Sequence, residues 1–413
     1  MAIAACWLAM SATAFAGLLF VPNTYGLTAR SVGLGNAMTA VGDDVSAAYF
    51  NPAALGALSA HNLSLGYMYA APRLNGGPDG DNVEFDQDNK LTLIGLALNL
   101  SDLFTFDHGF GFGLNVAVDN NMKSFLSFSE RRNPNGQFIR YGLSSVMMNM
   151  GLGIEIINQL YIGAGGYIMV SGENTLIAET DMAGNTRQEQ IQVDAEPVIA
   201  PIISLYAPVH PMVTLGAIYR GKGVAEFSAI DATTEATVSE SPLTTLNLMM
   251  AFKDAYVPQN VAFGVSLRPA EWVMVAVDCT WFNWADYDDE VSEGDVVRSD
   301  ADFETVDTWV PRVGFEFTPM SYLTLRTGYY YEATPFENPG LGNTVVLDNS
   351  YHAISLGAAH TADYIPFMKH PVNVGATYFY HHMIERTVEN DADVEFESSG
   401  GIQGVVGTLS LAF

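Results

Sequence analysis

The chain has 413 residues, with 17 Lys+Arg against 46 Asp+Glu, a formal net charge of −29. Only 15% of residues are charged and 49% are hydrophobic, which excludes intrinsic disorder, a state that needs low hydrophobicity. A balance this acidic repels phosphate and excludes nucleic acid as a partner.

The length admits two or three soluble domains or one large β-barrel. The two cysteines, Cys6 and Cys279, make neither a disulfide framework nor a CxxC metal or redox motif. Cys279 lies among Val275, Val277 and Trp281 and reads as a small apolar side chain; no cation close in sequence would activate it.

Residues 1–16, MAIAACWLAMSATAFA, are apolar and end in Ala14-Phe15-Ala16. Small residues at these positions suit signal peptidase, so the segment reads as a signal peptide lacking the usual basic start. A buried N-terminal helix is the alternative. After residue 22 no apolar run reaches the ~18–20 residues that a membrane helix needs. The longest, 198–209, contains Pro201 and Pro208. An export signal without membrane helices leaves a soluble exported protein or a closed barrel.

Residues 23–58 are small and Gly/Ala-rich and do not alternate. Asp43-Asp44 is placed to cap a short helix through Ser46 and Ala47. Asn51-Pro52 ends that helix, because the residue before proline avoids the α region. Gly33-Leu34-Gly35 lacks the preceding strand and third glycine of a dinucleotide loop.

From residue 59 onward period-two alternation dominates. Strand-like segments recur near 61–71, 89–100, 108–119, 142–156, 159–171, 191–206, 212–228, 243–252, 259–268, 271–284, 309–318, 321–333, 350–360, 370–386 and 398–413. In 322–331 one face carries Leu323, Leu325, Tyr329 and Tyr331, and the other Tyr322, Thr324, Arg326, Gly328 and Tyr330. In a membrane barrel the apolar face meets lipid and the polar face lines the lumen. Gly109, Gly111 and Gly113 fall inside one strand, where glycine marks a flexible kink or a bulge for curvature. The acidic runs 79–88 and 286–307 read as solvated loops. Divalent-cation binding is the sharper reading, but neither run has EF-hand spacing, and no metal site is assigned. His352, His360, His381 and His382 stand beside no GxSxG element, so they read as aromatic–histidine clusters near a membrane interface rather than a lipid hydrolase. The last strand places Val405, Leu409, Leu411 and Phe413 on one face.

Several stretches, in order, resemble the FadL/TodX family of outer-membrane transporters. Gly33-Leu34-Gly35-Asn36-Ala37 and residues 43–53 (DDVSAAYFNPA) resemble its N-terminal hatch, with Asn51-Pro52-Ala53 as the signature. Residues 215–222 (LGAIYRGK), 257–265 (VPQNVAFGV), 281–287 (WFNWADY) and 325–335 (LRTGYYYEATP) resemble its strand motifs. Gly221 replaces the family's serine and Phe282 its threonine. A terminal Phe on an alternating strand resembles the signal read by outer-membrane assembly machinery.

The resemblance implies an all-β, transmembrane antiparallel β-barrel of about 14 strands with a hatch plugging the lumen. The division is 1–16 signal peptide, 17–58 hatch and 59–413 barrel. It implies residence in the outer membrane of a Gram-negative bacterium, among lipid and lipopolysaccharide. Long-chain fatty acids or hydrocarbons would diffuse passively into the lumen and leave sideways, with no cofactor and no enzymatic step. Gly33, Gly35, Asn51, Pro52 and Ala53 are the hatch and gating residues it points to. Candidate lumen cations are Arg30, Arg140, Arg220, Lys222, Arg312 and Arg326. Arg30, Arg220 and Arg326 lead as substrate-binding residues, since an inward Arg binds a carboxylate through two donors. Pairing with inward carboxylates, to hold hatch against wall, is the alternative role. Similar GLGxA and NPA stretches occur in PorV-like barrels of secretion systems, which leaves a non-transporting interaction partner as the second function.

Overall fold

A computed structural model describes residues 25–78, 83–85, 88–101, 108–119, 146–181, 186–227, 232–238, 241–248, 252–287, 304–338, 340–341, 344–345, 348–363, 370–389 and 395–413. The expected signal peptide, Arg140 and most of the acidic runs 79–88 and 286–307 lie outside these residues. Among the described residues no helix is long and apolar enough to cross a membrane.

The alternating segments form fourteen wall strands. They are β1 (Asn62–Pro78), β2 (Asn89–Asn99), β3 (Phe110–Asp119), β4 (Val146–Ile157), β5 (Leu160–Asp181), β6 (Thr186–His210) and β7 (Val213–Arg220). The second half comprises β8 (Asn260–Ala270), β9 (Val273–Phe282), β10 (Thr308–Met320), β11 (Leu323–Glu332), β12 (Tyr351–Ala362), β13 (Val372–Glu389) and β14 (Glu395–Ala412). Each pairs antiparallel with its neighbour. β14 closes the ring on β1 through an unbroken register from Asn62↔Ala412 to Pro78↔Phe396. Closure satisfies every edge, which is what a sheet in lipid requires.

The expected segment 243–252 is not part of the wall. Residues Ser241–Leu248 pair with Ala232–Val238, and Phe252–Val257 pairs with Gly223–Phe227, all within the long β7–β8 connection. Turns of two residues link β4 to β5, β6 to β7, β8 to β9 and β10 to β11 at one end of the barrel, where Phe413 and His61 also exchange backbone hydrogen bonds. In outer-membrane barrels the short turns are periplasmic and the long connections extracellular.

The wall alternates apolar-out. Ile203 and Leu356 are 61% and 62% exposed, while their neighbours Ile202 and Ser355 are buried. Leu325 and Tyr329 face out as their alternation predicts, and Tyr330 faces in. The outward side chains form the lipid belt. The buried core lies inside the ring.

Candidate functional site: the hatch and the aromatic cluster above it

Residues 25–58 lie inside the ring. Helix α1 (Ala29–Gly33) starts at Thr28, whose hydroxyl accepts from Ser31 N while Ser31 reaches back to Thr28 N, a reciprocal capping box. Helix α2 (Ala47–Phe50) follows a turn in which Asp44 accepts from Ser46 N at 2.8 Å. It stops at the extended Asn51, and Pro52 then opens a 3₁₀ helix, Pro52–Ala57. Proline suits that first position because its missing N–H has no partner to lose.

Side chains tie this segment to strands around the ring. Thr408 of β14 accepts from Ala29 N at 2.8 Å, and Asp278 of β9 accepts from Thr39 N at 2.7 Å. Asn115 of β3 donates to Val45 O at 2.8 Å, and Ser204 of β6 accepts from Ala53 N at 2.9 Å. Asn51 donates to Thr39 O within the segment at 2.7 Å and to Leu205 O in the wall at 2.9 Å. These contacts satisfy polar groups that would otherwise be buried without partners.

The strand glycines are explained by the same contact. A Cβ on Gly153 would lie 2.6 Å from Gly56 N and 2.8 Å from Ala53 O, and one on Gly151 would lie 2.8 Å from Pro52 Cβ. Gly113 would meet Ala48 and Leu55 at 2.9 Å, and Gly109 and Gly111 would overlap the carbonyls of Gly56 and Leu55. The expectation of a kink or bulge at 109–113 is therefore corrected. The ladders on both sides of β3 run without a register shift, and the missing side chains let wall and 3₁₀ helix meet backbone to backbone. Gly35 combines φ +60° with a would-be Cβ 2.8 Å from Tyr329 N, so only glycine fits there. Gly33 sits 3.1 Å, by the same measure, from Arg326 Cβ and Thr377 Oγ1.

The expected lumen cations divide into two groups. Arg30 donates to Glu316 at 3.0 and 3.2 Å and to Asp43. Arg326 donates to the same Glu316 at 2.7 Å. Arg220 donates to Asn260 Oδ1 at 3.0 Å and Tyr49 O at 2.8 Å, with its guanidinium 4.4 Å from the Tyr49 ring. Lys222 pairs with Asp286 at 2.9 Å. Arg312 differs. It is 5% exposed, faces Asp278 across the β9–β10 ladder and donates through Nη1 to Thr280 Oγ1 at 2.8 Å, while among the described residues Nε and Nη2 have no hydrogen-bond partner.

Arg312 borders a packed aromatic cluster in the extracellular half. Phe282, Trp284, Val310, Tyr330, Tyr351 and Ala353 form one buried cluster, and the Arg312 guanidinium stands 5.5 Å from the Tyr330 ring. Tyr330 OH pairs with His381 Nε2 at 3.2 Å, and Tyr351 OH donates to Glu332 at 2.6 Å. Tyr25 of the inner segment stacks on His381 with ring centroids 5.9 Å apart. The remaining histidines of the expected clusters pack on outward or rim tyrosines, His352 on Tyr329, His360 on Tyr322 and His382 on Tyr380.

Sequence reasoning missed Glu316 and Asp278. Each has a signal: Phe315-Glu316-Phe317 and Val277-Asp278-Cys279 hold a lone charge between apolar neighbours. On an alternating lipid-facing strand that pattern marks an inward charge.

A closed barrel with its own N-terminal segment packed across the lumen defines a plugged outer-membrane transport channel. The sequence model described as Outer membrane protein transport protein (OMPP1/FadL/TodX) matches residues 8–408, and the chain belongs to this family. It is an outer-membrane protein. It is 26% identical to alkane uptake protein A of Marinobacter nauticus, over 100% of this chain and 96% of that protein. Its fold matches a Pseudomonas aeruginosa FadL homologue at TM-score 0.66 and 14% identity, covering 93% of this chain and 97% of the other. It also matches the P. putida toluene transporter TodX at TM-score 0.56 and 16% identity, with the same coverage.

Proposed function

We propose that the chain takes up long apolar molecules bearing a carboxylate at one end, as long-chain fatty acids do. The aromatic cluster parts to receive the apolar chain, and residues 17–58 act as the hatch that must shift before the cargo leaves. The observation that carries this choice is Arg312. A buried guanidinium with two idle donors is expensive, and a carboxylate accepts from such a fork through both oxygens. Gly33, Gly35, Asn51, Pro52 and Ala53 seat the hatch. Arg30, Arg220 and Arg326 hold it through their hydrogen bonds to hatch and wall. The cargo diffuses passively, and none of its bonds is made or broken.

A second reading, uptake of alkanes, is favoured by the likeness to a protein named for alkane uptake, and the aromatic cluster suits it. Trp284 fluorescence separates the two in purified protein, with Trp284→Phe as the background control. Oleate is expected to bind more tightly than oleyl alcohol or hexadecane. Arg312→Met is expected to weaken oleate binding by about 10–100-fold, the value of hydrogen bonds to a charged group. Equal binding of all three ligands, indifferent to Arg312→Met, selects the alkane reading.

A further inference from the structure

Arg30 and Glu316 join hatch to wall, and each has a second partner on its own side. Glu316 lies on β10 and Arg326 faces it directly across the β10–β11 ladder, donating at 2.7 Å. Arg30 lies on the hatch, and so do Asp43, which accepts from its Nη1, and Asp44, 3.9 Å away. Three of its members are shielded from water, the side chains of Arg30, Glu316 and Arg326 being 16%, 14% and 8% exposed, while Asp43 stands at the water-facing side, 57% exposed.

We infer that Arg30 and Glu316 form a partner-exchanging latch that lets hatch residues 29–44 leave the wall without stranding a charge. Breaking an ordinary buried ion pair leaves two uncompensated charges, and that penalty keeps such pairs shut. Here the separated wall keeps Glu316 with Arg326, and the separated hatch keeps Arg30 with Asp43. Both arrangements are paired, which is the requirement for a two-state element. Glu316 is thus a positioning residue for the gate. Asp43 also lies 3.9 Å from Arg268 of β8, but both side chains are more than half exposed, and such a pair contributes little.

The mechanism predicts opposite signs for two carboxylate substitutions. Glu316→Gln removes the wall side of the latch and loosens the hatch. Asp43→Asn removes the partner on which Arg30 relies most when open, since Glu316 shares Arg30 only when closed; this tightens the hatch.

Amide hydrogen exchange on the full-length protein in detergent reads both. The reporters are Leu34, Gly35 and Asn36, whose N–H groups bond within the hatch. The controls are Ala54 and Leu58, bonded within the 3₁₀ turn. Reporter exchange is expected to rise roughly tenfold in Glu316→Gln and fall severalfold in Asp43→Asn, with the controls unmoved, because local openings are independent of global unfolding. Arg30→Gln must behave as Glu316→Gln does, which keeps the test open if one variant fails to fold. Shifts of the same sign in Glu316→Gln and Asp43→Asn, or controls that move as far as reporters, overturn the latch. The inference rests on the reading of residues 17–58 as a gate, and exchange needs no cargo. Opposite exchange shifts without any change in oleate uptake would therefore overturn the gate and leave the latch standing.

Discussion

The side-chain amide of Asn51 donates to Leu205 O at 2.9 Å, joining the hatch to a wall strand 154 residues away. Its other hydrogen reaches Thr39 O, and its oxygen accepts from Ala53 N at 3.1 Å. One fully buried side chain thus fixes two hatch segments and one strand. Asn51→Ala leaves these groups unpaired and is expected to destabilise the seated hatch by about 1–3 kcal/mol. Asn51→Asp is expected to be worse, because a carboxylate cannot donate to two carbonyls. Thermal unfolding in detergent, with exchange at Ala54, measures both.

Glycines that contact the hatch differ in kind from glycines that do not. Gly153 has hatch backbone 2.6 Å from a would-be Cβ, whereas Gly407 has nothing within 4 Å. Gly153→Ala is expected to displace the hatch and reduce the yield of heat-modifiable barrel. Gly407→Ala is expected to stay within about 0.5 kcal/mol of the parent. Parallel refolding yields compare the two.

The outward face of the wall gives a third test. Ile203 is 61% exposed on β6. Ile203→Lys puts a charge into hydrocarbon at a cost of about 2–4 kcal/mol near the bilayer midplane. Ile203→Leu is expected to be neutral. Urea unfolding from lipid vesicles measures the difference.

Arg220 holds α2 by a fork and a stacked plane together. A lysine has one compact charge and cannot reach Asn260 Oδ1 and Tyr49 O while covering the Tyr49 ring. Arg220→Lys is expected to raise exchange at Asn51 N, which bonds Ala47 O at the end of α2, by several-fold. Unchanged exchange would show that the charge alone holds the helix.

Much of the wall was legible because its signal is local. Alternation along β11 or β14 follows from which side chains meet lipid, and each strand reports its own face. The segment 243–252 also alternates, yet it pairs in a hairpin off the ring, since period two marks a strand without naming its neighbour. The glycines of β3 were misread for a related reason. Gly111 has no feature in its own sequence that shows Leu55 will lie against it. The cations were legible as inward charges, but not their partners: Glu316 is 286 residues from Arg30. The free donors of Arg312 depend on Asp278, which faces it across the β9–β10 ladder, being turned to Thr39 N instead, a choice no spacing rule reports.

The most direct measurement is uptake of labelled oleate by cells lacking their own fatty-acid channel, with this protein present in the outer membrane as a heat-modifiable barrel. The account predicts uptake that appears with the protein, falls at least tenfold in Arg312→Met, and is lost when Asn51-Pro52-Ala53 is replaced by Gly-Ser-Gly. Oleate uptake no greater than in empty cells, from a folded barrel, would contradict it.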